Sequence, residues 1–443
     1  MNPKIGIRRE DKNQWERRVP LTPEQVKQLV GRGIEVVVQP SPIRAFADEQ
    51  YRAAGARIDE DLSDCRLVFG VKEFPDRLFR VGGGYVYFAH VIKGQAHNMP
   101  MLRRLLDLGC TLIDYEKVTD DAGRRLIFFG RHAGLAGMID TLWALGQRLK
   151  AKKIATPFSR IRKAHQYPDL EHALAAVEEA GDEIRKKGLP RPLCPMSFGF
   201  TGYGNVSRGA QEVFDRLPHV MVPPEKLARA VRRRPPERHR LIKTVFEERH
   251  LAAPREKGRP FELMEYYEHP ERFRPIFYRH VPDLDVVVNC IFWTQKYPRL
   301  ITRDLLRGLY LCQDEPRLKV IGDISCDVEG AIEVTVRTTD SGDPVFTWLV
   351  DEDRDAPGVR GKGPVVLAVD NLPCELPVES SRDFGNALLP YVEAMARADF
   401  GAPFAELDLP MPIKRAVIAH QGKLTPDYAY LAQHLNPCQG DEE

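Results

Sequence analysis

A glycine turn between an apolar run and a helix, placed late in the chain, constrains the fold more than any other feature. Residues 196–214 read Met-Ser-Phe-Gly-Phe-Thr-Gly-Tyr-Gly-Asn-Val-Ser-Arg-Gly-Ala-Gln-Glu-Val-Phe. The apolar run meets Gly202 and Gly204, and a helical pattern follows from Val206 to Leu217. This is the strand, turn and helix of a dinucleotide-binding βαβ unit, in which glycine lets the backbone turn tightly and approach a pyrophosphate at the helix N-terminus. Asn205, Val206 and Ser207 open that helix and are candidate cofactor contacts with Gly202 and Gly204. Ser207 stands where the usual fingerprint has its third glycine, with Gly209 just beyond. The letters alone are a weak signal, since such turns often bind nothing. Position strengthens it: so much chain precedes the turn that another domain must come first.

A chain of 443 residues suggests two to three domains at roughly 150 residues each. Its 43% hydrophobic and 29% charged residues provide ample core for an ordinary globular enzyme. A formal net charge of +2 argues against a general role in binding nucleic acid. The 8 cysteines are scattered, with no Cys-x-x-Cys and no Cys/His cluster at metal spacing. Reduced thiols and no metal site are therefore expected. The N-terminus turns polar at once and no apolar stretch is long enough for a bilayer, so no membrane association and a cytoplasmic location are expected.

The pattern predicts strands at 4–7, 34–38, 67–71, 85–88 and 111–115, with helices from Thr22 to Leu29 and from Met99 to Leu108. Such alternation implies a parallel sheet covered on both faces. A long helix is expected from His132 to about Lys150, and residues 151–190 read as a connector with one amphipathic helix. The resulting division is 1–140 with 375–443 as one domain, 141–190 as linker, and 191–374 as the nucleotide domain. Glycines early in the long helix suit either close packing or a close ligand.

Within the nucleotide domain, Val220 to Val222 reads as the second strand, whose end should meet the adenosine ribose. Pro223-Pro224-Glu225 and then an arginine-rich run, 229–240, follow it. The absence of a carboxylate directly after Val222 favours NADPH, with NAD still possible through Glu225; the run reads otherwise as a solvated insertion. Asn289, Asp323, Ser325 and Asp370 fall at or after the ends of strands at 285–293, 318–325 and 365–369, where ligands of open α/β sheets bind. Helices over 381–398 and 426–435 complete the chain.

Three polar elements of the first domain also sit at strand ends. Lys72 follows an apolar strand, a place where desolvation lowers a lysine pKa toward neutrality. His90 ends the next strand and is the second candidate proton carrier. Arg18 suits a substrate carboxylate, with Arg17, Arg125 and Arg131 as further candidates.

Several segments then carry a resemblance. Among them are Glu16-Arg-Arg-x-Pro-Leu-Thr-Pro, Gly70-Val-Lys, Phe88-Ala-His-x-Ile-Lys-x-Gln, Leu112-Ile-Asp-Tyr-Glu-Lys, the glycine turn, Asp323-Ile-Ser and Asp370-Asn-Leu-Pro. They run nearly end to end. The chain resembles the lysine–2-oxoglutarate reductase half of the bifunctional aminoadipate-semialdehyde synthases. It is more distantly similar to lysine-forming saccharopine dehydrogenases and to the alanine dehydrogenase/transhydrogenase family. The resemblance implies an α/β protein of two Rossmann-like domains with parallel sheets, the first discontinuous, and an active-site cleft between them. It also implies L-lysine and 2-oxoglutarate as substrates, NADPH as reductant, and Arg18, Lys72 and His90 as substrate arginine and acid/base pair. The bifunctional enzyme's saccharopine-oxidising half would here fall to a separate enzyme. Homo-oligomerisation is compatible with the resemblance.

Overall fold

Short runs of Val, Ile, Leu and Phe bounded by turn residues build two eight-stranded sheets, beside a small β10–β11 pair, in this computed structural model, which describes residues 3–233 and 235–435. In chain order the strands are β1 (Lys4–Ile7), β2 (Glu35–Val38), β3 (Arg57–Ile58), β4 (Leu67–Phe69), β5 (Gly84–Tyr87), β6 (Thr111–Asp114), β7 (Ser197–Thr201), β8 (His219–Met221) and β9 (Leu241–Phe246). They continue as β10 (Ala252–Pro254), β11 (Phe273–Pro275), β12 (Val286–Asn289), β13 (Val320–Asp323), β14 (Val345–Leu349), β15 (Arg354–Pro357), β16 (Val365–Leu367), β17 (Val417–His420) and β18 (Lys423–Leu424).

The chain divides into two units, one of residues up to Phe129 with those from Pro377 onward, the other Gly130–Leu376. The first unit holds a sheet of order β18-β17-β6-β5-β4-β1-β2-β3. Its strands β1 to β6 are parallel, and β17 and β18 extend one edge antiparallel. The helix Pro377–Arg397 buries Phe384, Leu388 and Val392 in this unit's core, which is why the C-terminal return belongs to it. The second unit holds a sheet of order β15-β14-β16-β13-β12-β7-β9-β8, parallel from β8 to β16 with an antiparallel edge of β14 and β15. Both sheets are therefore mostly parallel rather than wholly so. Strands β4, β5, β12 and β13 are buried along their whole length, as apolar strands covered on both faces must be.

The long helix spans Gly130–Ala151 and starts the second unit. Within residues 151–190, Phe158, Ile161, Val177 and Ile184 are buried in the second unit's core with Leu145 and Leu149. And Val220 to Val222 does not flank the glycine strand: β9 lies between, and β8 is the outermost strand. The sequence reading passes over β9 because Lys243 interrupts its apolar pattern. That lysine is nonetheless buried, its ammonium 2.5 Å from Asp215 and 5.9 Å from the centre of the Phe200 ring. The segment 426–435 is a 3₁₀ turn, Pro426–Leu431, leading into a short α-helix, Ala432–Leu435.

The glycines of the long helix are explained by packing. A Cβ on Gly134 would lie 1.9 Å from the Val206 carbonyl oxygen, and one on Gly209 would lie 2.1 Å from that of Arg131. The helix Asn205–Phe214 is thus seated on Gly130–Ala151 through two glycines. Gly209 supplies the close approach that Ser207, buried and accepting from Gln211 Nε2 at 2.9 Å, does not.

Candidate active site

Carboxyl ends of parallel strands carry the polar residues in each unit. In the first, β1 runs into Arg8 and Glu10, β4 into Lys72, β5 into His90 and β6 into Glu116. Glu10 is buried; its carboxylate accepts from the Val71 and Lys72 amides at 2.7 and 3.1 Å and pairs with buried Arg8 at 3.2 Å. It therefore fixes the backbone from which Lys72 projects. The sequence reading missed Glu10 because nothing local marks a carboxylate that acts some sixty residues along the chain. Burial pushes the Glu10 carboxyl upward, and Arg8 pulls against that shift.

Burial, then the charges of Arg18 and Lys12, hold Lys72 below the ordinary lysine value. His90 is pushed down in turn by burial and by Lys72. Its ring lies 3.6 Å from Glu73 and 3.9 Å from Glu116 and stacks on Phe88 at 6.1 Å between centroids. His90 also has φ +53°, a left-handed conformation rare outside glycine, and its carbonyl accepts from Asn98 Nδ2 at 2.8 Å. Asp114, at the end of β6, accepts from the Glu116 amide at 2.9 Å and is pushed by burial up to about 7.

Arg18 is only 2% exposed. Its Nε donates to Glu16 at 2.7 Å, Nη2 donates to the other oxygen at 2.5 Å, and the guanidinium lies 4.4 Å from the centre of the Phe129 ring. Phe129, Phe88, Tyr115 and Phe384 form one aromatic cluster beneath it. The structure thus brings Arg18, Lys72 and His90 together. Arg125 joins them indirectly, through an ion pair with Glu116. Arg17 does not join: it is exposed and donates to the Ile43 carbonyl at 2.9 Å. Arg131 belongs to the second unit, bound to Glu212 at 2.7 and 3.0 Å.

At the corresponding ends of the second sheet, Gly202 turns with φ +83°, and Gly204 caps the helix Asn205–Phe214. A Cβ on Gly204 would meet open space, while one on Gly202 would touch Ile291 at 3.0 Å. The free amides of the first helical turn at Asn205, Val206 and Ser207 thus face a backbone cradle that fits a pyrophosphate. A cavity of about 380 Å³ adjoins it, lined in part by Gly202, Gly204, Glu248 and Tyr267.

Asn289 and Asp323, expected at the cofactor, are fully buried and spent on their neighbours. Thr201 donates to Asn289 Oδ1 at 2.8 Å, and Asn289 Nδ2 donates to Asp323 and to the Ser325 hydroxyl, both at 2.9 Å. Ser325 and Thr335 donate to Asp323 at 2.8 and 2.6 Å. The network ties the ends of β7, β12 and β13 into a platform; of its expected members only Ser325 keeps partial exposure. Asp370 is exposed and stands outside it.

The chain is similar to known proteins along most of its length. Models for the N-terminal and C-terminal domains of alanine dehydrogenase/PNT match residues 6–136 and 237–427. Alpha-aminoadipic semialdehyde synthase of Arabidopsis thaliana is 36% identical over 96% of this chain and 41% of its own length. The mitochondrial protein of that name from Mus musculus is 36% identical over 97% of this chain and 47% of its own. The chain therefore spans less than half the length of these relatives. A saccharopine dehydrogenase [NAD(+), L-lysine-forming] of Yarrowia lipolytica is 29% identical over 89% of this chain and 93% of its own. Among solved structures, an L-alanine dehydrogenase superposes with a TM-score of 0.62 at 18% identity, covering 98% of this chain and all of that one, a likeness of fold. Among the described residues no helix is long and apolar enough to cross a membrane.

Proposed function

As the chain belongs to the alanine dehydrogenase/PNT family, we propose that it is a lysine–2-oxoglutarate reductase, forming saccharopine with a reduced nicotinamide dinucleotide. The observation that carries the reading is the meeting of Lys72 and His90 at adjacent strand ends, both held below their ordinary pKa values by burial and by neighbouring cations. Likeness to aminoadipic semialdehyde synthases over 96% of the chain supports the choice of substrates.

The lysine ε-amine adds to the ketone of 2-oxoglutarate, and the resulting carbinolamine loses water to give an imine. Each step moves protons at a nitrogen or oxygen, and this is the work of Lys72 and His90. A lysine of depressed pKa gives up its proton more readily than an ordinary one. Glu73 and Glu116 beside His90 orient the imidazole and ease its protonated form. Arg18, held flat by Glu16 and Phe129, is the guanidinium we assign to a substrate carboxylate. When bound, the dinucleotide supplies hydride to the imine carbon; Gly202, Gly204 and the amides after them would hold its pyrophosphate. A separate saccharopine-oxidising enzyme would consume the product.

The test is oxidation of NADH or NADPH by the purified chain with lysine plus 2-oxoglutarate, omitting each substrate in turn. Consumption that requires both is expected. No consumption with both present overturns the reading, and reduction of NAD by saccharopine alone would reassign the chain to the lysine-forming direction.

A further inference from the structure

A cavity of about 1120 Å³ opens against β8, the outermost strand of the second sheet, and takes no part in the reaction argued above. It shares no lining residue with the cavity beside the glycine turn. One wall is apolar, built by Val220, Met221 and Val222, with Met221 53% exposed. The other wall is cationic. Lys226 and Arg229 come from the helix Pro224–Val231, Arg232 and Arg233 follow its end, and Arg240 precedes β9.

The demands of folding do not account for that cationic wall. Pro224, Leu227 and Val231 form the buried row that attaches the helix, and Lys226 and Arg229 stand exposed beside it. Lys226 lies in the first turn, where the helix dipole disfavours a cation. Among the described residues, Glu237 is the single carboxylate on the cavity wall, and it pairs with Arg240 at 3.0 Å. Arg232 lies 3.7 Å from Asp283. No carboxylate among the described residues forms an ion pair with Lys226 or Arg229. The whole chain carries a formal net charge of only +2, so this excess of positive charge is local. Cations held side by side without counter-charge repel one another, and a bound polyanion turns that repulsion into attraction.

A guanidinium binds phosphate oxygens in pairs and an ammonium binds them as a point charge. The volume is on the scale of small-molecule sites, roughly 300–1,000 Å³, and the apolar wall gives an uncharged body somewhere to rest. A nucleic-acid strand would call for cations spread along a face, whereas these converge on one cavity. We propose that this cavity binds a small organic polyphosphate, its phosphates held by Lys226 and Arg229 and its body against Val220, Met221 and Val222. The inference goes beyond the reductase reading and rests on none of the residues that carry it.

The test is calorimetric titration of the purified full chain with ATP, tripolyphosphate and adenosine in turn, at low and at physiological salt. ATP should bind, more weakly as salt rises; tripolyphosphate should bind less tightly than ATP, and adenosine not measurably. The double variant Lys226→Ala with Arg229→Ala should weaken ATP binding by about tenfold or more, with its affinity for NADH unchanged as the check that it has folded. No ATP binding by the unaltered chain overturns the proposal, and this measurement depends on no variant. ATP binding that the double variant leaves intact overturns the site and moves the nucleotide to the glycine turn. Tripolyphosphate binding as tight as that of ATP overturns the role of the apolar wall. A chain that binds ATP in the expected way yet oxidises no nicotinamide with lysine and 2-oxoglutarate would overturn only the reductase reading.

Discussion

Two sheets of similar architecture treat the carboxyl ends of their strands in opposite ways. In the first unit those ends carry ionisable groups crowded against one another: Lys72 beside Arg18, and His90 beside Lys72, Glu73 and Glu116. In the second, Thr201, Asn289, Asp323, Ser325 and Thr335 satisfy one another in a closed hydrogen-bonded set. In the first arrangement burial and like charge raise the free energy of the charged forms of Lys72 and His90. The second removes freedom from the backbone that carries the glycine turn. One set of strand ends crowds ionisable groups against one another; the other closes its polar groups into a hydrogen-bonded platform.

The comparison can be broken most sharply at Lys72. Lys72→Met should lower kcat by roughly 10²–10⁴-fold, the range of a lost acid/base group, with NADH affinity unchanged by fluorescence titration. A variant turning over at the original rate would remove Lys72 from the chemistry. Next comes the buried pair of the first unit. Arg18→Ala leaves the Glu16 carboxylate buried without its guanidinium and should destabilise by about 3–5 kcal/mol in urea unfolding. Replacing both, Glu16→Leu with Arg18→Met, should recover most of that stability yet keep a raised KM for a substrate carboxylate. Recovery of KM as well would make the pair purely structural.

In the platform, Asn289→Ala should cost about 1–3 kcal/mol through the buried groups it leaves unmatched, while the pH profile of kcat stays where it was. A moved profile would mean that the platform also tunes protons. A smaller effect of opposite sign is expected at the reagent end. Because Lys72 is held below the ordinary lysine value, the folded chain binds fewer protons than the unfolded one between those two values. Its contribution to stability therefore rises with pH across that window and is lost as pH falls through it. Lys72→Met should accordingly raise Tm at pH 7, by a margin that shrinks toward alkaline pH, and kcat/KM of the unaltered chain should rise with pH through that depressed value. Last, Arg131→Ala breaks a half-exposed pair with Glu212 and should change stability by no more than about 1 kcal/mol, with KM for lysine and 2-oxoglutarate unmoved.

Periodicity and punctuation were enough to read both parallel sheets, the long central helix and the glycine turn from the letters, because each is a local pattern of burial. Lys72 and His90 could be singled out for the same reason: each directly follows an apolar run. The order of the strands was not legible. A buried Lys243 hides β9 until Asp215, 28 residues away in sequence, is seen to neutralise it, and with β9 hidden the neighbour of the glycine strand was hidden too. The roles of Glu10, Glu16 and Asp114 were hidden too, since a carboxylate in a sequence does not announce which amide or guanidinium it will meet. The amino-acid sequence by itself determined where apolar segments begin and end, and hence the elements and their class. Only the tertiary structure decided which strand lies beside the glycine turn and which charges meet, because those depend on neighbours that the chain brings together only when it folds.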